Sequence, residues 1–244
     1  MKKTLSLLAV LMAAGVASTP AQAATHYVSG LAGISWFQNS DVEHTTTYDD
    51  DNFTEQILFD SGFTCVAAIG CDYGDTRLEA EIGYQRNGTG DNSQGIDNSA
   101  GKASVYSLMA NGFYDIPLGG GAELYAMAGV GVAQVNRQDS GEQQYFYGED
   151  QDVPSSGYTD VTWKSHETTL AYQLGAGIAV PISKGVMLDA RYRYFATTDF
   201  TFEGREDTYP LNEGNGDWST GYADTSYNSN VSSHSVLLGL RVDL

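Results

Sequence analysis

The chain is 244 residues long and carries 31 acidic against 12 basic residues, a formal net charge of −19, with 28 Gly, 16 Tyr and 5 Pro. A chain this acidic repels nucleic-acid phosphates and is excluded as a nucleic-acid binder, and its aromatic content excludes a disordered polymer. The length suits one all-β domain.

Residues 1–23 read as a secretory signal: Lys2-Lys3, an apolar stretch from Leu5 to Val16, and the small-residue site Ala21-Gln22-Ala23. Cleavage there makes Ala24 the first mature residue and leaves 10 basic residues against 31 acidic, a net charge of −21. No cysteine follows the site, which argues against a lipid-anchored N-terminus. Beyond it no apolar run approaches the roughly 20 residues of a membrane-spanning helix.

Polar and apolar residues then alternate in segments about ten long, which sends one set of side chains to each face of a strand. Eight strands are predicted: Tyr27 to Phe37, Gly62 to Tyr73, Thr76 to Arg86, Ala103 to Ile116, Ala122 to Val135, Thr169 to Val180, Val186 to Phe195 and Ser235 to Leu244. The connections alternate strictly in length. Gly74-Asp75, Pro117 to Gly121 and Pro181 to Gly185 are short; Gln38 to Ser61, Asn87 to Lys102, Asn136 to Thr168 and Ala196 to His234 are long. A soluble sandwich has no reason to sort its loops by length. A closed eight-stranded antiparallel transmembrane barrel does, with short periplasmic turns and long extracellular loops over residues 24–244.

Parity assigns the faces. Val28, Ile34, Leu78, Ile82, Leu170, Leu174, Ile178, Val236, Leu238 and Leu240 point outward to lipid. Trp36, Tyr84, Tyr106, Tyr172 and Tyr194 form an outer aromatic girdle, and Tyr73 and Tyr114 a periplasmic one, where a ring buries its body and wets its hydroxyl. Cys65 and Cys71 fall on the same face of one strand, about 20 Å apart at about 3.3 Å per residue. A disulfide would require the strand to break between them; the reading taken is two small, unbridged side chains.

The inward set includes Arg77, Glu79, Glu81, Gln85, Asn111, Asp115, Gln173, Asp189, Arg191, Arg193 and Arg241. An eight-stranded barrel is just wide enough for side chains to fill, and buried charges need partners. The expectation is a structural ion-pair network of Arg77, Glu79, Glu81, Asp189, Arg191 and Arg193, with Glu79 and Glu81 paired to Arg191 and Arg193 across the lumen as a plug. Inward Gly129, Gly131, Gly175 and Gly177 let neighbours close in. The alternative is a narrow pore lined by the same charges.

Arg77-Leu78-Glu79-Ala80-Glu81 with Gly83-Tyr84, the run from Met109 to Ile116, Ala128-Gly129-Val130-Gly131, and Tyr172 to Gly177 together resemble the outer-membrane β-barrel domain shared by small surface antigens and opacity-type proteins of Gram-negative bacteria. The resemblance covers nearly the whole mature chain. It implies an eight-stranded barrel in the outer membrane, inserted by the barrel-assembly machinery and surrounded by outer-membrane lipid and lipopolysaccharide, and a role as surface antigen, adhesin or envelope-stabilising protein. The family's usual last residue is Phe, where this chain has Leu244.

The long loops carry Asp49-Asp50-Asp51, Glu149-Asp150 with Asp152, and Glu206-Asp207, without the Gly-punctuated spacing of a calcium loop; solvated loops are the expectation, with no metal and no cofactor. They also carry Tyr145-Phe146-Tyr147, Tyr158, Trp163, Tyr209, Trp218, Tyr222 and Tyr227, which either form a recognition surface for host or cell-surface molecules, being residue types that supply binding energy at interfaces, or pack as loops against the barrel rim. For an enzyme acting on lipid A, Ser233-His234-Ser235 and His166-Glu167 are the candidates, but alternation separates His234 from both serines. His26 and His44 read as isolated. No catalytic residue is assigned: the expected protein is a monomeric, non-enzymatic surface barrel, with a narrow passive porin as the alternative.

Overall fold

The computed structural model describes residues 24–38, 40–46, 53–57, 60–89, 100–146, 156–212 and 218–244. The expected signal segment, 1–23, lies outside the described residues. Twelve strands run along the chain: β1 (Thr25–Phe37), β2 (Ser40–Thr46), β3 (Phe53–Ile57), β4 (Ser61–Asp72), β5 (Thr76–Thr89), β6 (Ala100–Gly119), β7 (Ala122–Phe146), β8 (Ser156–Ser183), β9 (Val186–Thr197), β10 (Phe200–Asn212), β11 (Trp218–Ser229) and β12 (Ser232–Asp243).

Eight of them close a barrel in the order β1-β12-β9-β8-β7-β6-β5-β4, every pair antiparallel, with β1 joined to β4 from Thr25↔Asp72 to Trp36↔Ser61. These are the eight segments whose alternation is legible in the sequence. Closure removes the free edges that a sheet in lipid could not tolerate. The two ends of the domain meet: Leu244 N donates to His26 O at 2.9 Å. Short turns join β4 to β5, β6 to β7 and β8 to β9 at that same end. Gly74 with φ 98°, Gly120 with φ 62° and Gly185 with φ 70° take the left-handed conformations these turns require.

Two features differ from the sequence reading. The long connections expected as loops contain strand: β2 and β3 from the first and β10 and β11 from the fourth make a separate four-stranded sheet, ordered β10-β11-β2-β3. In the third, β7 and β8 continue as one hairpin of 25 and 28 residues, paired out to Phe146↔Ser156. About 10 residues cross the hydrocarbon, so most of this hairpin's length projects beyond it. Apart from Phe53 and Ile57 on β3 and Phe200 and Phe202 on β10, these strands are mostly polar on both faces, which blurred the contrast that marks a membrane strand.

The outward face is apolar. Ile34, Phe63, Ile69, Ile82, Val130, Leu170, Leu174, Val236 and Leu238 are all exposed, which in water would be a prohibitive patch and in lipid is the buried surface. Of the residues assigned to the girdles, Trp36, Tyr106, Tyr114 and Tyr172 are exposed, and Tyr73, Tyr84 and Tyr194 half-buried. The Tyr84 and Tyr106 rings lie 5.0 Å apart and those of Tyr172 and Tyr194 6.4 Å apart. Cys65 and Cys71 are free and share one unbroken strand, β4.

Candidate functional site

Inward residues stack in layers along the lumen. Nearest the short turns, Arg77 forks onto Asp115, with Nε–Oδ2 and Nη2–Oδ1 both 2.7 Å. Its guanidinium packs over Phe113 at 4.4 Å and Tyr125 at 5.0 Å from the ring centroids, so Nε and Nη2 are met in the plane by a carboxylate and the faces by π density, while the buried Nη1 has no hydrogen-bond partner among the described residues. Arg241 donates to Glu123 at 2.7 Å beside it.

The middle layer is built around Arg191. Its Nη1 lies 3.1 Å from Glu81 Oε2, and its Nη2 lies 3.8 Å from both Glu79 Oε2 and Asp189 Oδ2. Tyr125 OH donates to Asp189 Oδ1 and accepts from Arg191 Nε at 3.2 Å. Gln173 Nε2 donates to Glu81 Oε1 at 3.1 Å and Asn111 Oδ1 at 2.7 Å, while Asn111 Nδ2 donates to Glu81 Oε2 at 3.2 Å. Ser29 Oγ donates to Glu79 Oε1 at 3.0 Å. Above this layer Arg193 donates to Thr64 Oγ1 at 3.0 Å and Gln85 Oε1 at 3.4 Å, and its Nη1 stands 3.8 Å from Glu81.

The six residues expected to form the network are thus all inside, but their pairing differs in detail. Arg191 serves both glutamates, Arg193 reaches Glu81 only at long range, and Arg77 belongs to Asp115. Parity gives the face of each residue, not its height, and the stagger of the strands decides which heights meet. The sequence reading also missed Tyr125 as the partner of Asp189. Its signal was present: Tyr125 sits at an inward position facing Gly177 on β8, where a Cβ would come within 2.4 Å of the ring.

The side chains of the middle layer are buried. Glu81, Gln173 and Asp189 are 0% exposed, and Arg191 and Arg193 2%. At the end away from the short turns the lumen becomes apolar, with Phe37, Val105, Met109, Val135, Phe195 and Phe200 packed together.

The enzymatic constellation is not brought together. Ser233 and Ser235 are buried in the lumen. His234 points outward, its Nδ1 2.6 Å from Tyr192 OH and its Nε2 2.8 Å from Gln38 Nε2. His166 is exposed and Glu167, the next residue along β8, half-buried. His26 is not isolated: its Nδ1 lies 3.3 Å from Cys71 Sγ.

Of the loop residues, Asp49, Asp50, Asp51, Tyr147, Glu149, Asp150 and Asp152 lie outside the described residues. His44 falls on β2, Tyr145 and Phe146 on β7, Tyr158 and Trp163 on β8, Glu206, Asp207 and Tyr209 on β10, and Trp218, Tyr222 and Tyr227 on β11.

A family model described as an outer membrane protein beta-barrel domain matches residues 6–241. Among solved structures, the chain is similar to Neisserial surface protein A, at 16% identity and a TM-score of 0.42, covering 91% of this chain and 100% of that one. It is also similar to Ail, the attachment invasion locus protein of Yersinia pestis, in complex with the heparin analogue sucrose octasulfate, at 14% identity and a TM-score of 0.39 over 89% of this chain and 99% of that one. OprG from Pseudomonas aeruginosa gives 12% identity and a TM-score of 0.47 over 91% and 98%. No curated protein sequence matches.

Proposed function

Because the chain belongs to the outer membrane protein β-barrel domain family, and so resides in the outer membrane, we propose that it is a non-enzymatic, non-conducting surface protein whose barrel anchors an extracellular β-platform for contact with molecules outside the cell. The observation that carries this reading is the filled cross-section of the barrel: Glu81, Gln173 and Arg191 occupy the lumen with 0–2% exposure. A porin needs a continuous wet path at that level.

The platform supplies the interactive half of the reading. The four connections 38–61, 87–102, 136–168 and 196–234 carry 23 acidic against 4 basic residues, so they hold −19 of the −21 charge of residues 24–244. Such a field accelerates the approach of basic surfaces and repels polyanions. The same segments hold Trp163, Trp218 and seven tyrosines and phenylalanines named above, the side chains that anchor interfaces.

The test is a strain lacking the gene, restored either with the whole chain or with a chain in which 200–229 is replaced by a short turn. The expected result is that both restore the permeability barrier and only the whole chain restores adhesion. Equal adhesion with the shortened chain overturns the platform role.

A further inference from the structure

On the outward face of β5 and β6 the side chains change in a fixed order toward the extracellular end. Ile82 faces Leu108, Tyr84 faces Tyr106, Arg86 faces Ser104 and Gly88 faces Lys102. Hydrocarbon gives way to an aromatic pair and then to two cations. That is the order in which acyl tails, interface and phosphates are met on leaving a leaflet.

Arg86 and Lys102 are diagonal neighbours across the strand pair, a relation that sets backbones about 7–8 Å apart, and both are exposed. Neither side chain makes an ion pair or hydrogen bond among the described residues. Among the described residues the nearby carboxylate is that of Asp60, 3.7 Å from where a Cβ on Gly88 would stand.

Of the other basic residues in 24–244, Arg77, Arg191, Arg193 and Arg241 are buried in the lumen, Arg137 is half-buried on β7 and Lys184 stands in the β8–β9 turn at the other end. Arg205 lies on β10 of the separate sheet, and Lys164 on β8 continues the row of Lys102 through Gln138 on β7. Where β1, β12 and β9 reach the outer girdle, the described outward groups include no lysine or arginine and bond one another. Ser232 Oγ donates to Gln38 Oε1 at 2.8 Å, Gln38 Nε2 to His234 Nε2 at 2.8 Å, and Tyr192 OH bonds the other ring nitrogen at 2.6 Å.

We infer that the β5–β6 column is a binding site for the phosphorylated glycolipid of the outer leaflet. Arg86 and Lys102 pair with its phosphate, and the Tyr84 and Tyr106 rings lie against its sugar and first methylenes. The site concerns the lipid around the barrel and stands whatever the platform contacts.

The experiment places the folded full chain in phosphatidylcholine nanodiscs and titrates it with purified bis-phosphorylated lipid A, read by native mass spectrometry. Arg86→Gln and Lys102→Gln are each expected to weaken binding roughly fivefold and together roughly 30-fold, at the energy typical of one surface cation near an anionic lipid. Lys184→Gln leaves binding unchanged, and dephosphorylated lipid A binds the wild type and the double variant alike. Both side chains are exposed, so the variants fold, which heat-modifiable mobility on gels verifies. Wild-type affinity in the double variant overturns the site. So does an equal loss toward dephosphorylated lipid A, and displacement of the lipid by millimolar inorganic phosphate shows a free-anion site instead.

Discussion

Arg191 on β9 reaches across the lumen to Glu81 on β5, with Nη1 and Oε2 3.1 Å apart. In the order β1-β12-β9-β8-β7-β6-β5-β4 these two strands stand on opposite walls. One ion pair therefore ties walls that no backbone ladder connects. Removing its acid tests the strut: Glu81→Leu leaves Arg191 short of its nearest carboxylate and strips Gln173 and Asn111 of an acceptor. Uncompensated buried charge costs about 3–5 kcal/mol, so the temperature at which the folded band disappears from gels falls well below that of the wild type. An unchanged temperature would show that the pair contributes nothing to the fold.

Space at inward glycines is the second requirement of a filled lumen. A Cβ on Gly177 would stand 2.4 Å from Tyr125 Cζ and 2.5 Å from Ala190 O. Gly177→Ala is expected to lose about 1–3 kcal/mol through overpacking, measured as a lower urea midpoint in detergent. Gly30, with nothing within 4 Å of its Cβ position, supplies the comparison, and Gly30→Ala keeps its midpoint. Equal midpoints in the two variants contradict the packing described.

What the sequence disclosed was set by lipid. Where a strand crosses hydrocarbon its outward residues must be apolar, so Leu78, Ile82, Leu170, Leu174 and Leu238 announced their strands, and parity then put Glu81, Gln173 and Arg191 inside. Beyond the girdle that demand lapses. Thr45 and Thr46 on β2 and Thr225 and Ser226 on β11 pair with one another, yet both faces of those strands are polar and read as loop. The lumen partners were half legible for a different reason. Arg77 chose Asp115 over the adjacent Glu79 because the register sets Arg77 beside Phe113, a height that alternation along one strand does not encode.

The two cysteines give a chemical check on β4. The strand is continuous from Ser61 to Asp72, so Cys65 and Cys71 are held about 20 Å apart, far beyond bridging range. Protein purified without reductant and alkylated after acid denaturation is expected to gain two alkyl groups by intact mass. A mass lower by two hydrogens, with no alkylation, would mean that the strand is broken.

The bonding of His234 to Tyr192 and Gln38, away from Ser233 and Ser235, bears on enzymatic activity. Lipid A deacylation and acyl transfer assays in detergent are expected to show no turnover by the folded barrel. Activity abolished by His234→Ala would overturn the non-enzymatic reading.

Planar-bilayer recording tests the filled lumen most directly. With the middle layer occupied by Glu81, Gln173, Asp189 and Arg191 at 0–2% exposure, insertion of single folded barrels should leave the baseline current flat at any applied voltage the bilayer survives. Discrete, ohmic current steps that scale with the number of inserted molecules would contradict a closed barrel and restore the narrow pore.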